Sequence, residues 1–287
     1  MSAPRIGFIG FGEAATAMAT GLIEDGVTEI IACDVRERPA VAGVRMVANI
    51  AALAAEADVV IAAVTSSVAI SVAESAAPHL APRHFYVDIN SVAPDTKIAI
   101  GAIIDPSGAR FVEAAVMAAV PPRRHKVPIL LAGKAAPELI ALLMPLGMNL
   151  EDAGPELGRA AATKMFRSII VKGLEALLLE CVLGADRYGV ADKVLASVGE
   201  GYPGIDWKKL ADYFTGRTAI HGERRAHEME EVAATLESLG IEPMMASAAA
   251  KRIHWGGGFG LKEIYGDTPP DDFHEVLAAI RDRQGTS

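Results

Sequence analysis

Two glycines and a carboxylate are the first residues here whose types and spacing imply chemistry. Gly10 and Gly12 follow the apolar run Ile6-Gly7-Phe8-Ile9, and Ala15 stands three residues beyond Gly12. Helix-period residues from Thr16 to Ile23 come next. Strand, glycine turn and helix form the setting in which G-x-G-x-x-A holds a dinucleotide. The first glycine turns the chain and the second lets backbone approach a pyrophosphate. The helix N-terminus offers that anion its N–H groups and the positive end of its dipole. A glycine turn alone also joins strands to helices for structural reasons, so the weight falls on the acid downstream. Asp34 ends a second strand, Glu29 to Asp34, and lies 22 residues after Gly12. That is close to the ~20 expected of a carboxylate on an adenosine ribose. The expected cofactor contacts are Gly10, Phe11, Gly12, Glu13, Ala14 and Asp34. Asp34 tips the reading towards NAD, because its charge repels a 2′-phosphate. Arg36 and Arg38 pull towards NADP, because a nearby arginine accommodates that phosphate.

These residues need elements to position them, and the first half of the chain supplies them in alternation. Strands are expected at Val44–Val47, Asp58–Val64, His84–Asp88, Arg110–Val116 and Val127–Ala132. Helices are expected at Ile50–Glu56, at Thr65–Ala77 before Pro78, and at Pro94–Ile104 with Pro94 in the first turn. Alternation of this kind implies an α/β fold with a mostly parallel, doubly wound sheet. Ligands of such sheets sit beyond the carboxyl ends of the strands. Gly10, Asp34, Val64 with Thr65, and Asn90 with Ser91 all fall at those ends, so Val64, Thr65 and Asn90 join the cofactor contacts, with Arg36.

From Glu156 onward strand patterns vanish. Leu157–Asp186 reads as one long helix, apolar nearly all round between Ile169 and Leu183. Such a helix must be buried on most sides, which predicts a homo-oligomer, a dimer or tetramer. Helices are then expected at Asp206–Tyr213, Glu223–Leu239, Met244–His254 and Asp271–Arg283. The expected domains are residues 1–156, binding the dinucleotide, and 157–287, all-helical.

Composition bounds the function. The 287 residues are 51% hydrophobic, with a net charge of −9. An acidic chain argues against a nucleic-acid surface. Cys33 and Cys181 are the two cysteines, and neither a disulfide framework nor a metal-ligand spacing follows, so no metal is expected. The opening Met1-Ser2-Ala3-Pro4-Arg5 lacks the apolar core of a signal peptide. Lys172, Glu175 and Glu180 interrupt the longest apolar stretch, so no membrane span is expected. A soluble, cytoplasmic protein acting on a small molecule is the reading.

After the Gly7–Gly12 run come, in order, Asp88-Ile89-Asn90-Ser91-Val92-Ala93-Pro94, Glu113-Ala114-Ala115-Val116 and the stretch Gly158 to Ser168 with Lys164 inside it. Together they resemble the β-hydroxyacid dehydrogenase family, which includes 3-hydroxyisobutyrate and 6-phosphogluconate dehydrogenases; the chain looks like a divergent branch. Gly7-Phe8-Ile9-Gly10-Phe11-Gly12 is similar to the family's opening signature. Asp88-Ile89-Asn90-Ser91-Val92-Ala93-Pro94 resembles its D-x-S-T-x-x-P substrate segment, with Asn-Ser as in the phosphogluconate enzymes. Glu113-Ala114-Ala115-Val116 resembles its D/E-A-P-V segment. Gly158 to Ser168 resembles its G-x-x-x-x-x-K-x-x-x-N helix and places Lys164 on the catalytic lysine. The resemblance implies a Rossmann domain, a long linking helix and an all-α C-terminal domain. It also implies hydride transfer between a nicotinamide cofactor and a CH–OH or C=O group, with Lys164 as general acid/base and Asn90, Ser91 and Ser168 orienting substrate. A free lysine near pKa ~10.4 is a poor base at neutral pH, and desolvation lowers that value.

Three positions depart from the family pattern. Met117-Ala118-Ala119 stands where Ser-Gly-Gly holds a substrate carboxylate, so Met117 enters the expected substrate site. Ser168 replaces an asparagine. Ala226-His227 falls where the family has Lys-Asp, and His221 and Arg225, four apart on one helical face, are candidates for a replacement anion or hydroxyl clamp. The plain alternative there is an exposed helix of Glu–Arg pairs. Arg123-Arg124-His125-Lys126 is expected to be a solvated loop. Two other functions stay open: C=N reduction as in imine reductases, whose members generally lack the lysine, and cofactor binding without turnover.

Overall fold

Alternation within the first strand sets the layers of the molecule. Ile6 and Phe8 pack into one apolar cluster with Met18 and Leu22, while Ile9 packs into a second with Leu53, Tyr86 and Ile100. Both sheet faces are therefore covered, as a parallel sheet requires. The computed structural model describes residues 4–285; Met1 to Ala3, part of the segment read above as lacking a signal peptide, lie outside them.

Eight strands form one sheet: β1 Ile6–Ile9, β2 Ile30–Cys33, β3 Val44–Met46, β4 Val59–Ala62, β5 Phe85–Asp88, β6 Arg110–Val116, β7 Ile129–Ala132 and β8 Leu150–Asp152. Their order is β3-β2-β1-β4-β5-β6-β7-β8. All pairs are parallel except β6 with β7. The first six strands thus have the 3-2-1-4-5-6 order of a dinucleotide-binding sheet. The helices of this half are α1 Glu13–Glu24, α2 Ile50–Glu56, α3 Ala69–Ala76, α4 Pro94–Ile104 and α5 Ala136–Leu143, followed by α6 Arg159–Asp186. Burial pushes the Cys33 thiol in β2 up to about 11, so it is inert at neutral pH.

Two compact units divide the chain, Met1–Lys164 and Met165–Ser287. In the second, α7 Ala191–Gly201, α8 Trp207–Ser238, α9 Met244–Gly257, α10 Lys262–Tyr265 and α11 Phe273–Gly285 join the rest of α6. Leu178 and Val182 pack there with Phe214, Phe273 and Leu277. Among the described residues no helix is long and apolar enough to cross a membrane.

The structure departs from the sequence reading in several places. β8, α5 and α7 were not expected. Trp207–Ser238 form one helix of 32 residues rather than two, because packing overrides the poor helix propensity of Gly216 and Gly222. The segment Thr65–Ala77 opens with a 3-10 turn, Ser66–Val68, before α3. In the stretch Arg123–Lys126, Arg123, Arg124 and Lys126 are exposed as expected of a solvated loop, but Arg124–Lys126 form a 3-10 turn with His125 buried and its Nε2 3.0 Å from Asp25 Oδ2 at the end of α1.

Candidate active site

The carboxyl ends of β1, β2, β4 and β5 carry most of the residues expected to do chemistry. Gly10 turns the chain at φ +83°, and a Cβ there would sit 2.5 Å from the Ala63 carbonyl oxygen. Its N–H donates to the Cys33 carbonyl at 2.9 Å, which ties the end of β1 to the end of β2. Gly12 is the N-cap of α1, with no side-chain cap on the helix. A Cβ on Gly12 would meet nothing within 4 Å, so the space over the turn is open. An uncapped helix start beneath open space fits a dinucleotide pyrophosphate.

Asp34 stands beside this turn. Its Oδ2 accepts from Phe11 N–H at 2.7 Å and Arg38 Nε at 2.9 Å, and its Oδ1 accepts from Arg36 N–H at 2.8 Å. Burial works against the charged form, but the Phe11 and Arg36 N–H groups and the Arg38 guanidinium outweigh it and hold the carboxyl below its ordinary range.

At the end of β5 the polar groups form a buried network. Asn90 accepts from Val64 N–H at 2.7 Å and donates through Nδ2 to Asp88 Oδ2 at 2.7 Å. Lys97 of α4 donates to the Asp88 carbonyl at 2.8 Å and the Ala114 carbonyl at 3.2 Å, and pairs with the Asp88 carboxylate. Burial pulls the Lys97 ammonium down, against the attraction of Asp88. Asn90, expected as a direct contact, is thus engaged in joining the ends of β4 and β5. Ser91, next to it, is exposed, as are Thr65 and Glu13.

Lys164 reaches this edge from α6. Its Nζ donates to Ser91 Oγ at 3.2 Å. What seats the helix is Glu113, fully buried on β6. Its carboxylate accepts from Ala161 N–H at 2.6 Å and from Gly158 N–H. These are donors that the first turn of a helix leaves unsatisfied, and the dipole favours a negative charge there. Burial pushes the Glu113 carboxyl up, against those two N–H groups. Ala160 packs on Ala115 and Ala132, with Met117 and Ala153 beside them. Small residues at the head of α6 let it lie close to β6 and β7. Met117 therefore packs as an apolar neighbour of the helix start.

The remaining candidates lie in the second unit. Ser168 accepts from Lys172 Nζ at 3.4 Å, and Lys172 pairs with Glu228 at 2.6 Å. Arg225, expected as an anion clamp, is buried and pairs with Glu175 through Nε at 2.9 Å and through Nη2; Thr218 donates to the same carboxylate at 2.7 Å. Its charge is met inside the unit, so the arginine serves the packing of α6 on α8. His221 is held below its ordinary value by burial and by Arg217, Arg224, Lys262 and Arg225.

Sequence reasoning gave Glu113 and Lys97 no role, although each had a signal. Glu113 is the one acid within β6, and Lys97 heads a run of apolar residues in α4.

Known proteins share both the sequence and this architecture. A family model described as "NADP oxidoreductase coenzyme F420-dependent" matches residues 5–91, and a "Domain of unknown function (DUF1932)" matches residues 185–256. A conserved hypothetical protein from Sinorhizobium meliloti 1021 is 40% identical, with 98% of this chain and 97% of that chain covered and a TM-score of 0.82. The "Uncharacterized 28.5 kDa protein in 7S RNA 5'region" of Methanothermus fervidus is 31% identical over 84% of this chain and 94% of its own length. Conserved protein MTH1747 is 33% identical, with 90% of this chain and 97% of that chain covered and a TM-score of 0.75; its structure shows similarity with 3-hydroxyacid dehydrogenases. The chain belongs to the β-hydroxyacid dehydrogenase family. As in the expectation for a β-hydroxyacid dehydrogenase, a Rossmann-type sheet precedes a long helix and an all-helical unit.

Glu113 generates a stability prediction. In Glu113→Ala two N–H groups at the head of α6 lose their acceptor, and urea unfolding is expected to show a loss of about 2–4 kcal/mol. A raised folded-state carboxyl means that the folded protein binds the proton more tightly. The stability it contributes is full below the ordinary carboxylate value and is lost as pH rises through the folded value. Glu113→Gln should remove that slope. A Glu113→Ala protein as stable as the parent would contradict the capping role.

Proposed function

We propose that this chain is an NAD(P)-dependent oxidoreductase that moves a hydride between the cofactor and the CH–OH or C=O carbon of a β-hydroxy acid or related alcohol. The observation that carries the reading is the Lys164–Ser91 contact, 3.2 Å from amine to hydroxyl, in the same unit as the glycine turn. Gly10 to Ala14 would hold the pyrophosphate, and the residues after β2 the adenosine ribose. The nicotinamide supplies the hydride acceptor in oxidation and the donor in reduction.

The chain's own groups handle the proton. Lys164, neutral, takes it from the substrate hydroxyl during oxidation; charged, it returns it during reduction. Ser91 orients that hydroxyl or a neighbouring carboxylate. Asn90, held by Asp88 and Val64, fixes where Ser91 stands. A primary amine opposite a hydroxyl suits a CH–OH substrate and favours this reading over C=N reduction or binding without turnover. Action in the cytoplasm on a small molecule, with no membrane partner, belongs to the same proposal, and the net charge of −9 argues against a nucleic-acid partner.

A substrate screen over hydroxy acids, hydroxy ketones and sugar acids with both cofactors provides the assay. Lys164→Ala should then lower kcat by about 10²- to 10⁴-fold while cofactor affinity stays within about threefold. Undiminished turnover in Lys164→Ala would overturn the assignment.

The second unit supports a homo-oligomer, dimer or tetramer. Ile170 and Leu177, two turns apart on α6, are 66% and 57% exposed. Burying such side chains against another copy is worth about 1.5–3 kcal/mol each. Sedimentation at micromolar concentration is expected to give a dimer or larger, and a monomer would contradict this.

A further inference from the structure

The segment after β2 contains two arginines and a carboxylate whose bonding bears on which dinucleotide the protein takes. A ribose that lacks the 2′-phosphate is recognised when its two hydroxyls donate to a carboxylate at the end of the second strand. A carboxylate offers about four acceptor positions. On Asp34 three are filled from within the chain: by Phe11 N–H at 2.7 Å, Arg36 N–H at 2.8 Å and Arg38 Nε at 2.9 Å. The Asp34 side chain is only 5% exposed. One acceptor position remains where a ribose diol needs two.

The same bonds place positive charge at this point. Arg38 is anchored on Asp34 through Nε, an i,i+4 ion pair, and its side chain is 29% exposed. Val35 and Arg36 face solvent immediately beside it. Glu37, also exposed, and Asp34 itself are the opposing charges within the segment. A guanidinium whose Nε is held by a carboxylate keeps its two terminal nitrogens for another anion. Arginine is the residue suited to a phosphate group, through paired N–H donors.

We propose that Arg38, held in place by Asp34, forms with Arg36 a receptor for the ribose 2′-phosphate, so that this chain selects the phosphorylated dinucleotide NADP(H) over NAD(H). Asp34 then acts as a positioning residue. It fixes the glycine turn through Phe11 and aims Arg38, and it does not read the ribose. The weight that its position in the sequence gave to NAD passes to the arginines that it engages. The inference rests on the dinucleotide-binding reading of the glycine turn proposed above.

Binding measurements test it without turnover. Titration of the full-length protein with NADPH and with NADH, followed by nicotinamide fluorescence, is expected to give at least about tenfold tighter binding of NADPH, the size of one charge-assisted contact. Calorimetry with 2′,5′-ADP and with 5′-ADP should show the same preference in the absence of a nicotinamide. Arg36→Ala and Arg38→Ala, both at exposed or half-exposed positions, should each reduce the preference several-fold, and the double variant should bring the two cofactors to near parity. Equal binding of the two cofactors by the parent, or tighter NADH, overturns the proposal and leaves the oxidoreductase reading standing. A preference that survives in the double variant overturns the assignment to these arginines. Binding of neither dinucleotide overturns both readings.

Discussion

A single buried carboxylate supports the head of α6. Glu113 is the one acid of β6 and has no exposure to water, and its two oxygens are answered by the N–H groups of Gly158 and Ala161. Charge in the interior is tolerated only where its bonds are made. Here they are made to the one part of a helix that has donors to spare. The strand is thereby fixed to the helix start at a defined point, and Lys164 lies less than one turn beyond Ala161. Moving the helix along its axis would break both bonds. The amine reaches Ser91 because the carboxylate leaves its helix little choice of position.

The same economy operates on the neighbouring strand. Asp88 sits at the end of β5 with Lys97 on one side and Asn90 on the other, all three buried. Asn90 passes the constraint to β4 through Val64 N–H. Breaking a buried pair of this kind costs several kcal/mol, because the surviving charge is stranded. Two strand ends are consequently locked in relation to each other, and the exposed residue that follows, Ser91, is carried on a rigid base. At the end of β2, Asp34 does the equivalent for the glycine turn and for Arg38. Three buried or nearly buried carboxylates thus organise one edge of the sheet, and none of them is a group expected to react.

How much of this could be read from the sequence depended on the distance over which each feature is encoded. The strand–glycine–helix opening is local, so its residues announced it: an apolar run, a glycine needing positive φ, and a helical period. The long α6 and the alternation before it were legible for the same reason. Lys164 was less so, since a lysine on a helix is ordinarily solvated; its place followed from family resemblance. Glu113 and Lys97 looked out of place in apolar segments, but their partners lie 45 and 9 residues away, and neither periodicity nor spacing names a partner. Arg225 was misjudged on the same ground. Its neutralising Glu175 is 50 residues distant on another helix. The unbroken α8 and the three-residue β8 were missed because tertiary packing, rather than propensity, creates them.

The central claim is that the amine of Lys164 transfers the substrate proton. Chemical rescue tests it most directly. Turnover of Lys164→Ala, with the cofactor bound, would be followed as small primary amines of graded basicity are added. The account predicts that the lost rate returns in proportion to amine concentration and varies systematically with amine basicity. A cofactor-bound Lys164→Ala enzyme that no amine restores, although amines small enough to fill the vacated side-chain volume are present, would contradict it.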